Sequence, residues 1–97
     1  MKIWFALVEI KPLYNNTILK DVSGAFLNVA YKAETKDELI IQINKTFKEN
    51  KFMICEIDNI ETVDKMEIDN PDNAEKLVLL NDIEEGYDFS WGVYHTY

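Results

Sequence analysis

Cys55 and His95 are the only cysteine and the only histidine of this 97-residue chain, so thiol chemistry has one conceivable dyad. A thiolate nucleophile needs a base within hydrogen-bond reach and an oxyanion site beside it. Cys55 alternates with Met53 and Ile57 in an apolar run, where a thiol ordinarily serves as a small buried hydrophobe. One cysteine and one histidine also fall short of the usual four-ligand zinc set. The carboxylates Asp64, Glu67, Asp69, Asp72 and Glu75 crowd one stretch. They lack the alternate-position ligands and the sixth-position glycine of an EF-hand loop. They read instead as a solvated acidic loop running into a helix, whose first turn favours Asp72 and Glu75 through its dipole. Acid–base catalysis by paired carboxylates needs two groups with separated pKa values, and nothing in the spacing of the 18 acids singles out a pair. Gly24, Gly86 and Gly92 do not stand at phosphate-loop or dinucleotide spacing. The chain reads as a binder without cofactor or metal, not as an enzyme.

Charge is the more telling property. Residues 1–54 carry 6 acids and 8 lysines, whereas residues 55–97 carry 12 acids and only Lys65 and Lys76. Direct nucleic-acid binding requires cations that displace phosphate counterions, and anionic membrane surfaces make the same demand. Neither fits the C-terminal half. A basic protein surface is its natural complement.

The length sets a single domain spanning residues 1–97. The apolar run Ile3 to Val8 is broken by Glu9 and closed by Lys11 and Pro12, short of the roughly 20 residues of a membrane span. No small-residue cleavage site follows it, and a lone cysteine requires no oxidising compartment. A cytoplasmic location is the expectation.

These residues need elements to hold them. Residues 3–10 read as a strand apolar on both sides, hence central and covered on both faces. A long irregular stretch, residues 12–24, leads to a second strand over 25–33. Thr35 and Glu38 have capping-box spacing, and Leu39, Ile40, Ile43 and Phe47 form the apolar stripe of the helix they open. Asn50 is its expected left-handed stop. Residues 52–57 form a third strand, Asp58 and Asn59 a turn, and 60–63 a short fourth strand. Pro71 suits the first turn of a second helix, with Ala74, Leu77, Val78 and Ile83 inward and Gly86 as its end. Residues 87–97 alternate as a final strand, with Tyr87, Phe89, Trp91, Val93, His95 and Tyr97 on one side. The sum is an α+β fold: one four- to five-stranded mixed or antiparallel sheet with two helices on one face, a ferredoxin-like variant with an added N-terminal strand.

Small size, acidity and a compact α+β design resemble the immunity proteins of bacterial toxin systems, including contact-dependent growth inhibition. The segments MKIWFALVEIKP, GAFLNVAYKA and WGVYHTY are in addition similar to a family of small bacterial proteins with like opening and closing strands. The first resemblance implies a protein that occludes the active site of a basic toxin, commonly a nuclease, without turnover. On that expectation Asp58, Glu61, Asp64, Glu67, Asp69, Asp72 and Glu75 present carboxylates to the toxin's lysines and arginines. Trp4 and Tyr94 add aromatic anchors, of the kind that dominate interface energetics. Glu56 alternates with core residues and is left out of the set. Two other readings stand beside it: an acidic modulator of a DNA-binding protein, and a small-ligand-binding or enzymatic domain using a sheet face lined by Trp4 and Phe26.

Overall fold

The computed structural model describes residues 2–14, 16, 22–65 and 73–97. In chain order the elements are β1 (Lys2–Pro12), β2 (Ala25–Ala33), α1 (Lys36–Glu49), β3 (Phe52–Thr62), a 3-10 turn (Val63–Lys65), α2 (Ala74–Glu84), β4 (Phe89–Trp91) and β5 (His95–Thr96). The strands make one antiparallel sheet in the order β3-β1-β2-β4, with β5 on the same edge of β2 as β4. The first strand of the chain is therefore central, as its two apolar faces require. Because β2 and β3 both run against β1, they are parallel to each other, and α1 joins them across it. This is the split β-α-β unit of ferredoxin-like folds, with β1 in the gap.

The expected α+β class and antiparallel sheet are present, but the helices do not share a face. Ala6, Val8 and Ile10 of β1 pack with Leu27, Val29 and Tyr31 of β2 against Leu39, Ile43 and Phe47 of α1. Phe5 and Ala30, which point the other way, pack with Leu79 and Ile83 of α2. The alternation of a strand sends neighbouring side chains to opposite sides, so a β1 apolar at nearly every position demands two covers.

The capping box forms around α1, with one difference. Thr35 Oγ1 accepts from the Glu38 amide at 3.2 Å, and the Glu38 carboxylate accepts from the Glu34 amide at 3.2 Å, one residue earlier than the standard box. Leu39, Ile43 and Phe47 are buried on α1. The left-handed residue after it is Lys51 (φ 65°), whereas Asn50 stays at φ −94°. Asn16, from the irregular stretch, donates to the carbonyls of Asn50 and Lys51 at 3.0 and 2.9 Å and so is itself tied to the turn after α1.

On α2 the inward residues are Leu79 and Ile83, with Leu77 and Leu80 beside them. Ala74 and Val78 face outward. Residues 77–80 are all apolar, so helical periodicity alone does not choose a face there. Pro71 lies outside the described residues. No helix among the described residues is long and apolar enough to cross a membrane.

Candidate functional site

Three single-residue bulges decide which side chains reach the bare part of the sheet. In β3 the register against β1 shifts between Ile54 and Glu56, and again between Asp58 and Glu61. A bulge adds one residue to one strand and so reverses the side-chain alternation beyond it. The result keeps Ile54, Ile57 and Ile60 against the α1 core and turns Glu56, Asp58 and Glu61 to the opposite face, alongside Glu9, Leu7 and Phe5. Asn59 takes the left-handed conformation (φ 51°) that the second bulge needs; asparagine tolerates it better than most residues. No turn forms at Asp58 and Asn59, and the expected fourth strand is the continuation of β3. Cys55 sits at the first bulge and is exposed, not buried as the alternation suggests.

The third bulge separates β4 from β5. Trp91 pairs with Val29 and faces α1, whereas His95 pairs with Phe26 and faces the other way. Tyr94 stays with Trp91 and Phe52 on the α1 side. Tyr97 swings onto the acidic side, its ring 5.5 Å from Phe26. Its hydroxyl donates to the Glu9 carboxylate. The ring lies over Gly24, where any Cβ would collide with it, so a glycine is required for this crossing.

α2 covers only part of this face. Its first turn brings Glu75 over β2, where Oε1 accepts from Asn28 Nδ2 at 3.2 Å and Oε2 lies 3.6 Å from His95 Nε2. An acid at this position also suits the helix dipole. Beyond Glu75 no helix among the described residues lies over the sheet. There Glu9, Glu56 and Asp58 stand in adjoining register on β1 and β3, beside the half-exposed Phe26 and Tyr97. Lys11 flanks the row at the end of β1.

The carboxylates are close enough to feel one another. Asp58 holds the Glu56 carboxyl above its ordinary range, by its charge and a side-chain hydrogen bond, and Glu9 adds to the effect. The hydrogen bond to Glu9 pushes the Tyr97 phenol up to about 12. The patch thus presents concentrated negative charge bordered by two aromatic rings.

The residues expected to bind a partner divide accordingly. Asp58 is exposed on the bare face. Glu61 shares that face but is half-buried and paired with Lys76 at 2.6 Å. Asp64 lies in the 3-10 turn at a separate cavity of about 300 Å³ shared with Lys2, Ile3, Thr62 and Val63. Glu75 is half-buried at the margin. Glu67, Asp69 and Asp72 lie outside the described residues. Trp4 and Tyr94 are on the opposite side. The Trp4 indole donates to the Ala33 carbonyl at 3.0 Å, and both rings pack against the α1 core. Trp4 and Phe26 consequently line different faces and form no common ligand surface. Sequence reasoning missed Glu9, Phe26, Tyr97 and Glu56 as members of the acidic patch; the pairing Glu9↔Glu56 has no local signal, because it depends on where the bulges fall.

Among the described residues no group of three or more His, Cys, Asp or Glu side chains is arranged to hold a metal ion. No protein-family model matches the sequence, no curated protein matches it, and no solved structure matches the fold.

Proposed function

We propose that this protein binds a basic protein partner through the bare half of its α2-bearing face, and that the partner is a toxin domain, of nuclease type, whose active site it occludes. The observation that carries the reading is the grouping of Glu9, Glu56 and Asp58 beside the Phe26–Tyr97 ring pair on a sheet surface that no helix among the described residues covers. Clustered carboxylates speed the encounter with a cationic surface, and they penalise acidic competitors. Aromatic rings supply rigid contact area and a favourable face for arginine and lysine. The resemblance to toxin-immunity proteins supports the same assignment, with cytoplasmic neutralisation and no turnover.

The test is co-expression with a candidate basic nuclease toxin, sought first among the products of neighbouring genes. Protection from its toxicity is expected, with a complex whose association rate falls steeply as salt is raised. The double variant Glu56→Lys, Asp58→Lys should lose that protection while remaining folded. Full protection by the double variant would overturn the reading. A partner whose DNA binding, not nuclease activity, is blocked would move the assignment to a modulator of a DNA-binding protein.

A further inference from the structure

The bare half of the α2-bearing face is ordered as a row. Across the sheet, Glu56 of β3 pairs with Glu9 of β1, Glu9 with Phe26 of β2, and Phe26 with His95 of β5. Residues paired across antiparallel strands share one side of the sheet, so these side chains form one line: two carboxylates, a ring and an imidazole. Tyr97 joins it from the adjoining position. Its ring lies 5.5 Å from Phe26 at 41°, and its hydroxyl donates to the Glu9 carboxylate. Both rings keep exposed area, 38% of Phe26 and 49% of Tyr97. We infer, resting on the docking of a basic partner proposed above, that this row receives the guanidinium group of an arginine of that partner, laid flat against the Phe26 ring with its edge toward Glu9 and Glu56.

The register makes rings and carboxylates converge. Side chains paired across two strands stand about 5 Å apart, so a group stacked on Phe26 has Glu9 at its edge and Glu56 one strand further on. The bond from Tyr97 ties the Glu9 carboxylate to the ring pair. At the far end of the row His95 has its own carboxylate, Glu75 Oε2 at 3.6 Å, which leaves Glu9 and Glu56 for an incoming cation. The repulsion already felt there points the same way: Asp58 and then Glu9 hold the Glu56 carboxyl above its ordinary range, and a seated cation relieves it.

The shape of the row selects among cations. A guanidinium is planar, stacks on an aromatic face and presents its N–H groups from the edge in a fork that matches a carboxylate. A lysine ammonium is a compact point charge that gains from the carboxylates and covers little of a ring. An acidic group would be repelled, and an apolar one would strip water from the carboxylates without compensation. The neighbouring row shows the contrast. Asp58, Leu7 and Asn28 pair across the same three strands, with one carboxylate and no ring, and so offer charge without a platform. Arginine recognition therefore belongs to the row of Glu56, Glu9 and Phe26, and Asp58 adds only to the general attraction.

The experiment is a titration of the intact isotope-labelled protein, followed by its amide resonances at constant ionic strength. The probes are end-blocked glycyl-arginyl-glycine, its lysine counterpart, and its citrulline counterpart as a neutral isostere. Saturating shifts centred on Glu9, Phe26, Glu56 and Tyr97 are expected from the arginine peptide, with an affinity about threefold or more above that of the lysine peptide. The citrulline peptide should give none. Phe26→Leu should bring the arginine-to-lysine ratio to about one. Glu9→Gln should weaken both charged peptides, and Asp82→Asn should leave both unchanged. Equal affinities for arginine and lysine in the native protein, a ratio unmoved by Phe26→Leu, or shifts centred elsewhere would overturn the inference. Its failure is distinct from failure of the proposed function. If Glu56→Lys, Asp58→Lys abolishes protection from the toxin while the native protein treats arginine and lysine alike, the docking stands and the arginine row falls. If the peptides are discriminated but charge reversal leaves protection intact, the toxin reading falls and the row keeps its ligand.

Discussion

The two ends of the α2-bearing face are built from the same strands and differ in what covers them. At one end Phe5 and Ala30 disappear beneath Leu79 and Ile83. At the other, Glu9, Glu56 and Asp58 stand uncovered beside Phe26 and Tyr97. A sheet face in a small protein is ordinarily either core or solvated surface. Here a single helix of 11 residues closes half of it. The covered end is organised for stability, while the bare end tolerates repulsion among its carboxylates and so is organised for something else.

That contrast can be broken most forcefully from the covered end. Leu79→Ala should cost about 2–5 kcal/mol by chemical denaturation, because it opens a cavity under the helix. Phe26→Ala at the bare end should stay within about 1 kcal/mol; comparable losses at the two positions would erase the distinction. Next in size, reversing Glu56 and Asp58 to lysine should slow association with a basic partner by about tenfold or more at low salt, with stability little changed. An unaltered rate would strip the bare end of its role.

Titration sharpens the same comparison. Burial pushes the Tyr31 phenol, in the α1 core, up to about 12, and Thr46 nearby offsets only part of that. A raised folded pKa means that the neutral phenol contributes its stability fully below about pH 10 and loses it as pH rises through about 12. Alkaline unfolding should therefore come at higher pH in Tyr31→Phe. Among the described residues the buried Tyr31 hydroxyl makes no hydrogen bond of ordinary geometry, the Thr46 hydroxyl donating to the Gln42 carbonyl instead, so that variant should be no less stable at neutral pH. The smallest effect belongs to Glu56. Its carboxyl is held above its ordinary range chiefly by Asp58. The associated stability is present in full below the ordinary glutamate pKa and is lost as pH rises through the raised value. Glu56→Gln should lift the denaturation midpoint slightly at neutral pH, and added salt should shrink the gain. A lowered midpoint would show that the carboxylates do not repel.

Much of the scaffold is legible in the residues. The apolar positions on both sides of β1 announce a central strand, and Thr35 with Glu38 announces the start of α1. The site is harder to read, for a physical reason. Ile54, Ile57 and Ile60 are spaced by three, a spacing that strand alternation does not allow, and Asp58 with Asn59 supplies turn residues between them, so the stretch reads as strand, turn and strand. The bulges at Cys55 and near Asn59 absorb the mismatch, and only long-range pairing with β1 reveals that Glu56 points outward. The same holds at Val93 and Tyr94, where one extra residue sends Tyr97 across to Glu9. The uniform apolar run at residues 77–80 hides which side of α2 faces inward until Phe5 and Ala30 select it.

The central place of β1 has a kinetic corollary. During synthesis β1 emerges well before β3, yet one neighbour of Trp4 is Thr62, 58 residues further along the chain. Closure over such separations carries a large loop-entropy barrier before any contact rewards it. Refolding is accordingly expected on the millisecond-to-second scale typical of non-local topologies, slower than a helical bundle of this length. A stopped-flow trace complete within microseconds would mean that the barrier lies elsewhere.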